Sequence, residues 1–120
     1  MRNVSLQLEH KDEDGVLVLT VQADRIDAAN AIFLKDQFRD ATENTTGRVV
    51  MDLDKVNFMD SSGLGAVVAA LKLLGGRKLE LAHLQPAVSK VFTLTRMDKV
   101  FILHASLDAA FNAIDDSTAA

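Results

Sequence analysis

Apolar and polar residues alternate with two different periods along this chain. Residues 4–8 are apolar at every second position, which predicts a half-buried strand, and the apolar run 16–21 predicts a more deeply buried one. The polar link 11–15 between them ends in Gly15, a residue that readily adopts positive φ. Because a parallel crossover needs about a dozen residues or more, this short link predicts an antiparallel hairpin.

Four other segments carry apolar residues at helical spacing. Asp27 and Ser106 are residue types favoured at N-caps and precede the first and last segments, and Pro86 suits the first turn of the third. Gly75 and Gly76 follow the second segment and predict its end. The apolar stripes are Ala28, Ala31, Leu34, Phe38 and Ala41; Leu64, Val67, Val68, Leu71 and Leu74; Val88, Val91 and Phe92; and Leu107, Ala110, Phe111 and Ile114.

Three further segments are predicted to be strands, which gives the order ββαβαβαβα: the largely apolar residues 49–53, a segment marked by Leu79 and Leu81, and the apolar run 100–103. Strands separated by helices imply right-handed crossovers and a largely parallel sheet, and the opening hairpin adds an antiparallel member. The sequence therefore predicts an α/β fold with a mixed, mostly parallel sheet packed against helices. We expect one domain over residues 1–120, with a short flexible tail at about 116–120.

Composition narrows the classes of partner. The formal net charge of −4 should make the surface repel a nucleic-acid backbone. No cysteine is present, which excludes disulfides and thiolate chemistry and suits a reducing compartment. The N-terminal residues lack the apolar core of a signal peptide, and no apolar run approaches the roughly 20 residues that span a bilayer. We expect a cytoplasmic protein without nucleic-acid or membrane partners.

The most informative segment is 56–65, Val-Asn-Phe-Met-Asp-Ser-Ser-Gly-Leu-Gly, where a strand leads into an amphipathic helix. A serine at a helix start is accessible to a kinase, and its phosphate would face free backbone N–H groups. The added charge of about −1.5 to −2 would disrupt an interface packed over that point. On spacing alone, however, helix capping is the better explanation of Asp60, Ser61 and Ser62. Phe58 and Met59 could face the core or a partner, and their apolar neighbours favour the core.

This segment resembles the signature of STAS-domain anti-sigma factor antagonists. The element order and the segment Gln85-Pro86-Ala87-Val88, followed by Val91-Phe92, also fit that family. The resemblance implies that Ser61 is the phosphate acceptor and that Ser62 is its unmodified neighbour. It implies a docking surface of Asp24, Asp27, Asp60, Ser61, Ser62 and Gly63. One departure is Asp24, which stands where the family often has a glycine before the first helix, whereas Asp27 matches the family's aspartate.

The resemblance also implies a partner-switching function. The unphosphorylated protein would bind an anti-sigma factor that is a serine kinase of the GHKL ATPase type, and phosphorylation of Ser61 by that kinase would release it. A metal-dependent serine phosphatase would reverse the modification. The protein itself would be no enzyme and would need no cofactor, because ATP belongs to the kinase.

Two other functions are open. Asp24, Asp27, Asp52, Asp54 and Asp60 could form the magnesium site of a receiver-like domain that phosphorylates its own aspartate, although scattered loop carboxylates are usually solvated. The second open function is that of a STAS module that senses a small ligand. Serine hydrolysis has little support, because Ser61 lies outside a Gly-x-Ser-x-Gly turn and no pattern brings His10, His83 or His104 to it; surface or structural roles are expected for these histidines.

Overall fold

The computed structural model describes residues 6–113, which form a five-stranded sheet, a two-stranded ribbon and four α-helices. The strands are β1 (Gln7–Glu13), β2 (Val16–Gln22), β3 (Arg25–Ile26), β4 (Arg48–Asp52), β5 (Phe58–Met59), β6 (Glu80–Ala82) and β7 (Ile102–His104). The helices are α1 (Ala31–Thr42), α2 (Ser61–Leu73), α3 (Pro86–Leu94) and α4 (Leu107–Asn112). The large sheet has the order β1-β2-β4-β6-β7, and only β1 runs antiparallel to its neighbour. The predicted mixed, mostly parallel α/β fold is confirmed.

The opening hairpin is confirmed, but its link is shorter than predicted. Strand β1 continues through residues 11–13, so that only Asp14 and Gly15 form the turn, with φ values of 53° and 79°. Two residues with positive φ match the right-handed twist of a hairpin. The charged residues 11–13 can lie in the strand because β1 is at the edge of the sheet, where its side chains remain largely exposed.

The core is divided between the two faces of the sheet because successive strand residues point to opposite sides. Along β2, Leu17, Leu19 and Val21 belong to the larger apolar cluster, which α1, α2 and α3 cover. Val16 and Val18 belong to a smaller cluster on the other face, which α4 covers. This burial on both faces explains why β2 reads as a continuous apolar run.

Helix α1 begins at Ala31, so the predicted N-cap at Asp27 is wrong. The Asp27 amide donates to Asn30 Oδ1 at 3.0 Å, and Asp27 Oδ1 accepts from the Ala29 amide at 3.0 Å. These bonds fold residues 28–30 into a turn before the helix, with Ala28 exposed.

The predicted leucine and valine stripe of α2 packs against the core, and small residues that the stripe did not include share this inner face. Its buried positions are Gly63, Ala66, Val67 and Ala70, whereas Leu64, Val68 and Leu71 are half-buried. The chain leaves the helix after Leu73, and Gly75 and Gly76 adopt φ values of 60° and 102°, as a glycine stop predicts.

The remaining elements follow the prediction with small shifts. Pro86 opens α3, which buries Val88 and Phe92, and Ser106 caps α4 by accepting from the Ala109 amide at 3.0 Å. The last strand starts two residues later than predicted, at Ile102, because a 3₁₀ turn at Met97–Lys99 occupies the preceding segment. Val4, Ile114 and the predicted tail lie outside the described residues. Within residues 6–113, no helix has the length and apolar character needed to cross a membrane.

Candidate functional site

Two crossover loops meet at the carboxyl end of the parallel strands. β2 leads into β3 and β4 leads into β5, and because β2 and β4 are parallel neighbours, both loops leave the same edge of the sheet. There β3 and β5 pair in parallel, with Arg25 opposite Phe58 and Ile26 opposite Met59. The Asn57 amide donates to the Asp24 carbonyl at 2.8 Å. This ribbon, which the sequence did not predict, joins the segment 24–27 to the start of α2.

Ser61 is the first residue of α2, and its hydroxyl is free. Asp60 is the N-cap, and its Oδ1 accepts a hydrogen bond from the Gly63 amide at 2.9 Å. Ser61 and Ser62 are both exposed, and within residues 6–113 neither hydroxyl makes a hydrogen bond. Capping therefore belongs to Asp60 and does not occupy the serines. In the first turn, the Gly63 amide bonds to Asp60 Oδ1 and the Leu64 amide bonds to the Asp60 carbonyl. The backbone N–H groups of Ser61 and Ser62, which precede them, can interact with an anion.

Gly63, predicted at the docking surface, lies beneath it. A Cβ at this position would meet the Ile26 carbonyl oxygen at 2.1 Å and the Met59 Cγ at 2.9 Å. Only glycine permits this approach without movement of the backbone. Gly63 thus sets the distance between α2 and the segment 24–27. Gly65, by contrast, is exposed and has nothing within 4 Å of an added Cβ.

The predicted acidic residues differ in exposure. The Asp24 side chain is 79% exposed, the Asp27 side chain is 17% exposed, and Asp60 is half-buried. Arg25 lies between the first two, with Nε 3.9 Å from Asp24 Oδ1 and Nη1 3.6 Å from Asp27 Oδ2. At these distances on an exposed surface the ion pairs are weak.

Arg25 and Phe58 are two residues of this region that sequence reasoning missed. Phe58 is 48% exposed, so its assignment to the core is wrong, whereas Met59 is buried as expected. The Arg25 Cζ lies 5.8 Å from the centroid of the Phe58 ring, within the range of a cation–π contact. Neighbouring strand residues point to opposite faces, so a predicted strand at Phe58–Met59 would have placed one of these two side chains at the surface.

Of the remaining carboxylates considered for magnesium, Asp52 is the last residue of β4 and Asp54 follows the strand. Asp52 Oδ1 lies 3.2 Å from His83 Nδ1 and also accepts from the Asp54 amide at 3.0 Å. Across the part of the chain that the structure describes, no group of three or more His, Cys, Asp or Glu residues could hold a metal ion. The observed arrangement therefore gives no support to a receiver-like magnesium site.

A buried ionic cluster lies on the α4 side of the sheet. Arg48 forms two hydrogen bonds with Glu80, at 2.8 and 2.6 Å, and donates to the Ala110 carbonyl at 2.8 Å. His104 Nε2 lies 2.7 Å from Glu80 Oε1. Burial raises the pKa of the Glu80 carboxyl, but the hydrogen bonds and charges of Arg48 and His104 outweigh burial and hold this pKa below its usual range. His83 and His104 thus have carboxylate partners, in keeping with a structural role.

Comparison with known proteins gives concordant matches. The STAS domain model matches residues 7–110. The anti-sigma-B factor antagonist of Listeria monocytogenes is 31% identical over 101 residues, covering 82% of this chain and 86% of that protein. An anti-sigma factor antagonist from Mycobacterium paratuberculosis has a crystal structure with a TM-score of 0.83 at 30% identity, covering 96% of this chain and 98% of the other. The phosphorylated Bacillus cell fate determinant SpoIIAA shares the fold, with a TM-score of 0.63 at 19% identity over 88% of this chain and 96% of the other. The sequence match and the shared fold together show that the chain belongs to the STAS domain family.

Proposed function

We propose that this chain is an anti-sigma factor antagonist that binds an anti-sigma factor with serine-kinase activity and releases it when Ser61 is phosphorylated. The names of the relatives support anti-sigma factor antagonism, and the phosphorylated state of SpoIIAA is a precedent within the fold for control by phosphorylation. The observation that carries the switch is the Ser61 hydroxyl, which is exposed at the start of α2 and makes no hydrogen bond with the described residues 6–113, while Asp60 caps the helix.

Electrostatic repulsion accounts for release. A kinase of the GHKL ATPase type must hold the Ser61 hydroxyl against the γ-phosphate of its own ATP. The serine oxygen then bonds to that phosphorus, the bond to the β-phosphate oxygen breaks and leaves ADP, and a catalytic base of the kinase accepts the serine proton. The product phosphate carries about −1.5 to −2 charge and faces both Asp60 and the phosphates of the remaining ADP. Two like-charged groups in one desolvated interface favour separation.

The same phosphate is compatible with the fold. It would lie at the N-terminus of a 13-residue helix, where unpaired N–H groups and the helix dipole favour negative charge. No other part of the domain needs to rearrange. The modification acts on docking, with Asp24, Asp27, Asp60 and Ser62 around it and Gly63 beneath. We assign no catalysis and no cofactor to this chain, and a metal-dependent serine phosphatase would restore the hydroxyl.

Phosphorylation by purified kinases tests the proposal. Each GHKL-type anti-sigma kinase of the source genome is incubated with the chain and labelled ATP, and the product is mapped by mass spectrometry. We expect label on the wild type and on the matched control Ser62→Ala, and none on Ser61→Ala. A base-labile acyl phosphate on an aspartate, or full labelling of Ser61→Ala, would refute the switch.

A further inference from the structure

Phe58 is an apolar side chain that its strand holds at the surface. It is 48% exposed while Met59 is 4% exposed, because neighbouring strand residues point to opposite faces. Scattered exposed apolar residues are common in soluble proteins and need no explanation. Phe58 differs from them in position, because its strand leads through Asp60 directly to Ser61.

Backbone hydrogen bonds within the chain itself hold the strand that carries Phe58. β3 pairs with β5 along its length, the Asn57 amide bonds to the Asp24 carbonyl, and the Asp60 amide bonds to the Ile26 carbonyl at 3.4 Å. The Arg25 guanidinium lies over the ring. An aromatic side chain has only two side-chain torsions to restrict. On a backbone that is already hydrogen-bonded, it therefore loses little conformational entropy on binding.

The surroundings of the ring are acidic. Asp24 is largely exposed and Asp60 is half-buried, and these two carboxylates lie on the two segments that the ribbon joins. Arg25 offsets only part of this charge, because its guanidinium already faces Asp24 and Asp27. A complementary partner surface would combine an apolar pocket with a cationic border.

We infer that Phe58 is the apolar anchor of the docking surface, and that the anti-sigma factor kinase receives it in an apolar pocket bordered by Lys or Arg side chains that face Asp24. This inference rests on the proposed function and specifies how the same surface recognises its partner. Attraction is centred on Phe58 and Asp24, whereas repulsion is centred on Ser61 and its neighbour Asp60, where the kinase holds its nucleotide phosphates. Binding before phosphorylation and release after it are therefore compatible.

Calorimetric titration of the unphosphorylated full chain against each purified kinase, with ADP in place of ATP, tests the anchor. Phe58→Ala should weaken binding at least about 30-fold, as loss of an interface hot spot does. Phe58→Thr keeps a strand-favouring residue and should lose binding to the same extent. The matched control is Leu73→Ala, because Leu73 is 41% exposed at the far end of α2, about 18 Å from Ser61 along the helix axis. Its binding should stay within about twofold of wild type.

The cationic border is tested in the same titrations at several salt concentrations. Asp24→Asn should weaken binding at low salt and flatten its salt dependence, because one attractive charge pair is lost. Wild-type affinity in both Phe58 variants would overturn the anchor and leave the Ser61 switch standing. Failure of the wild-type chain to bind any of the kinases would overturn both the anchor and the proposed function.

Discussion

At the scale of single residues, the position of Ser61 relative to the segment 24–27 depends on the absence of a side chain at Gly63. The obstacle to a side chain is the backbone oxygen of Ile26, which cannot rotate away as a flexible side chain would. Any larger residue must push α2 and β3 apart, and the Asp60 to Ile26 hydrogen bond lies in the same contact. The close contact between Gly63 and the Ile26 carbonyl thus determines the geometry of the docking surface.

We predict that Gly63→Ala lowers the free energy of unfolding by about 1–3 kcal/mol, the usual cost of overpacking. Gly65→Ala is the matched control in the same helix, and it should raise stability by up to about 1 kcal/mol, because Gly65 has open space around it and alanine favours helix. Urea denaturation of both variants checks this. A Gly63→Ala protein as stable as wild type would contradict the close approach to Ile26.

At the scale of elements, α2 depends on its N-cap. Asp60→Ala should cost about 1 kcal/mol of stability, because the Gly63 amide loses its acceptor. Asp60→Asn should stay close to wild type, because asparagine caps a helix about as well as aspartate. Urea denaturation of both variants distinguishes the loss of the helix cap from the loss of the negative charge. Equal stability of the alanine and asparagine variants would mean that Asp60 is not the cap.

Periodicity predicted the helices and the longer strands, because an element of several turns or residues repeats its pattern. It could not predict β3 and β5, since two-residue strands such as Phe58–Met59 show no repeat. The start of α1 was misplaced because Asn30 and Asp27 exchange side-chain and backbone hydrogen bonds that no local rule requires. Ser61 was found through its motif, but nothing in the sequence showed that Asp60 would take the capping role.

At the scale of the whole molecule, a cluster of ionisable side chains links three strands, and one of its members also donates a hydrogen bond to the last helix. Arg48, Glu80 and His104 come from β4, β6 and β7, and Arg48 also bonds to the Ala110 carbonyl in α4. These partners are 24 to 62 residues apart in the chain, so only the folded sheet brings them together. The cluster therefore ties α4 to the sheet on the face opposite α1, α2 and α3.

Glu80→Gln should destabilise the protein by about 1–3 kcal/mol at neutral pH, because it leaves the partly buried Arg48 charge without its carboxylate. The pKa of Glu80 lies below its ordinary 4.5 in the folded protein, so the contribution of this carboxylate is fully present above about pH 4.5 and is lost as the pH falls through the folded pKa. The stability difference between wild type and variant should therefore shrink on acidification.

Urea denaturation at neutral pH and at several acidic values measures this difference. Glu43→Gln is the control, because Glu43 is exposed and its replacement should change stability by less than about 0.5 kcal/mol. A Glu80→Gln protein with wild-type stability, or a difference that grows as the solution becomes more acidic, would argue against the cluster as a structural tie.

The most direct measurement is the dissociation constant of the cognate kinase for the chain fully phosphorylated at Ser61, compared with the unmodified chain, with both thermal transitions recorded. We predict that phosphorylation weakens binding at least about 100-fold, which corresponds to about 2.7 kcal/mol, while the thermal transition moves by less than about 2 °C because the phosphate lies at an exposed helix start. Equal affinity of the two forms would contradict the account, and so would weaker binding that comes from loss of the fold.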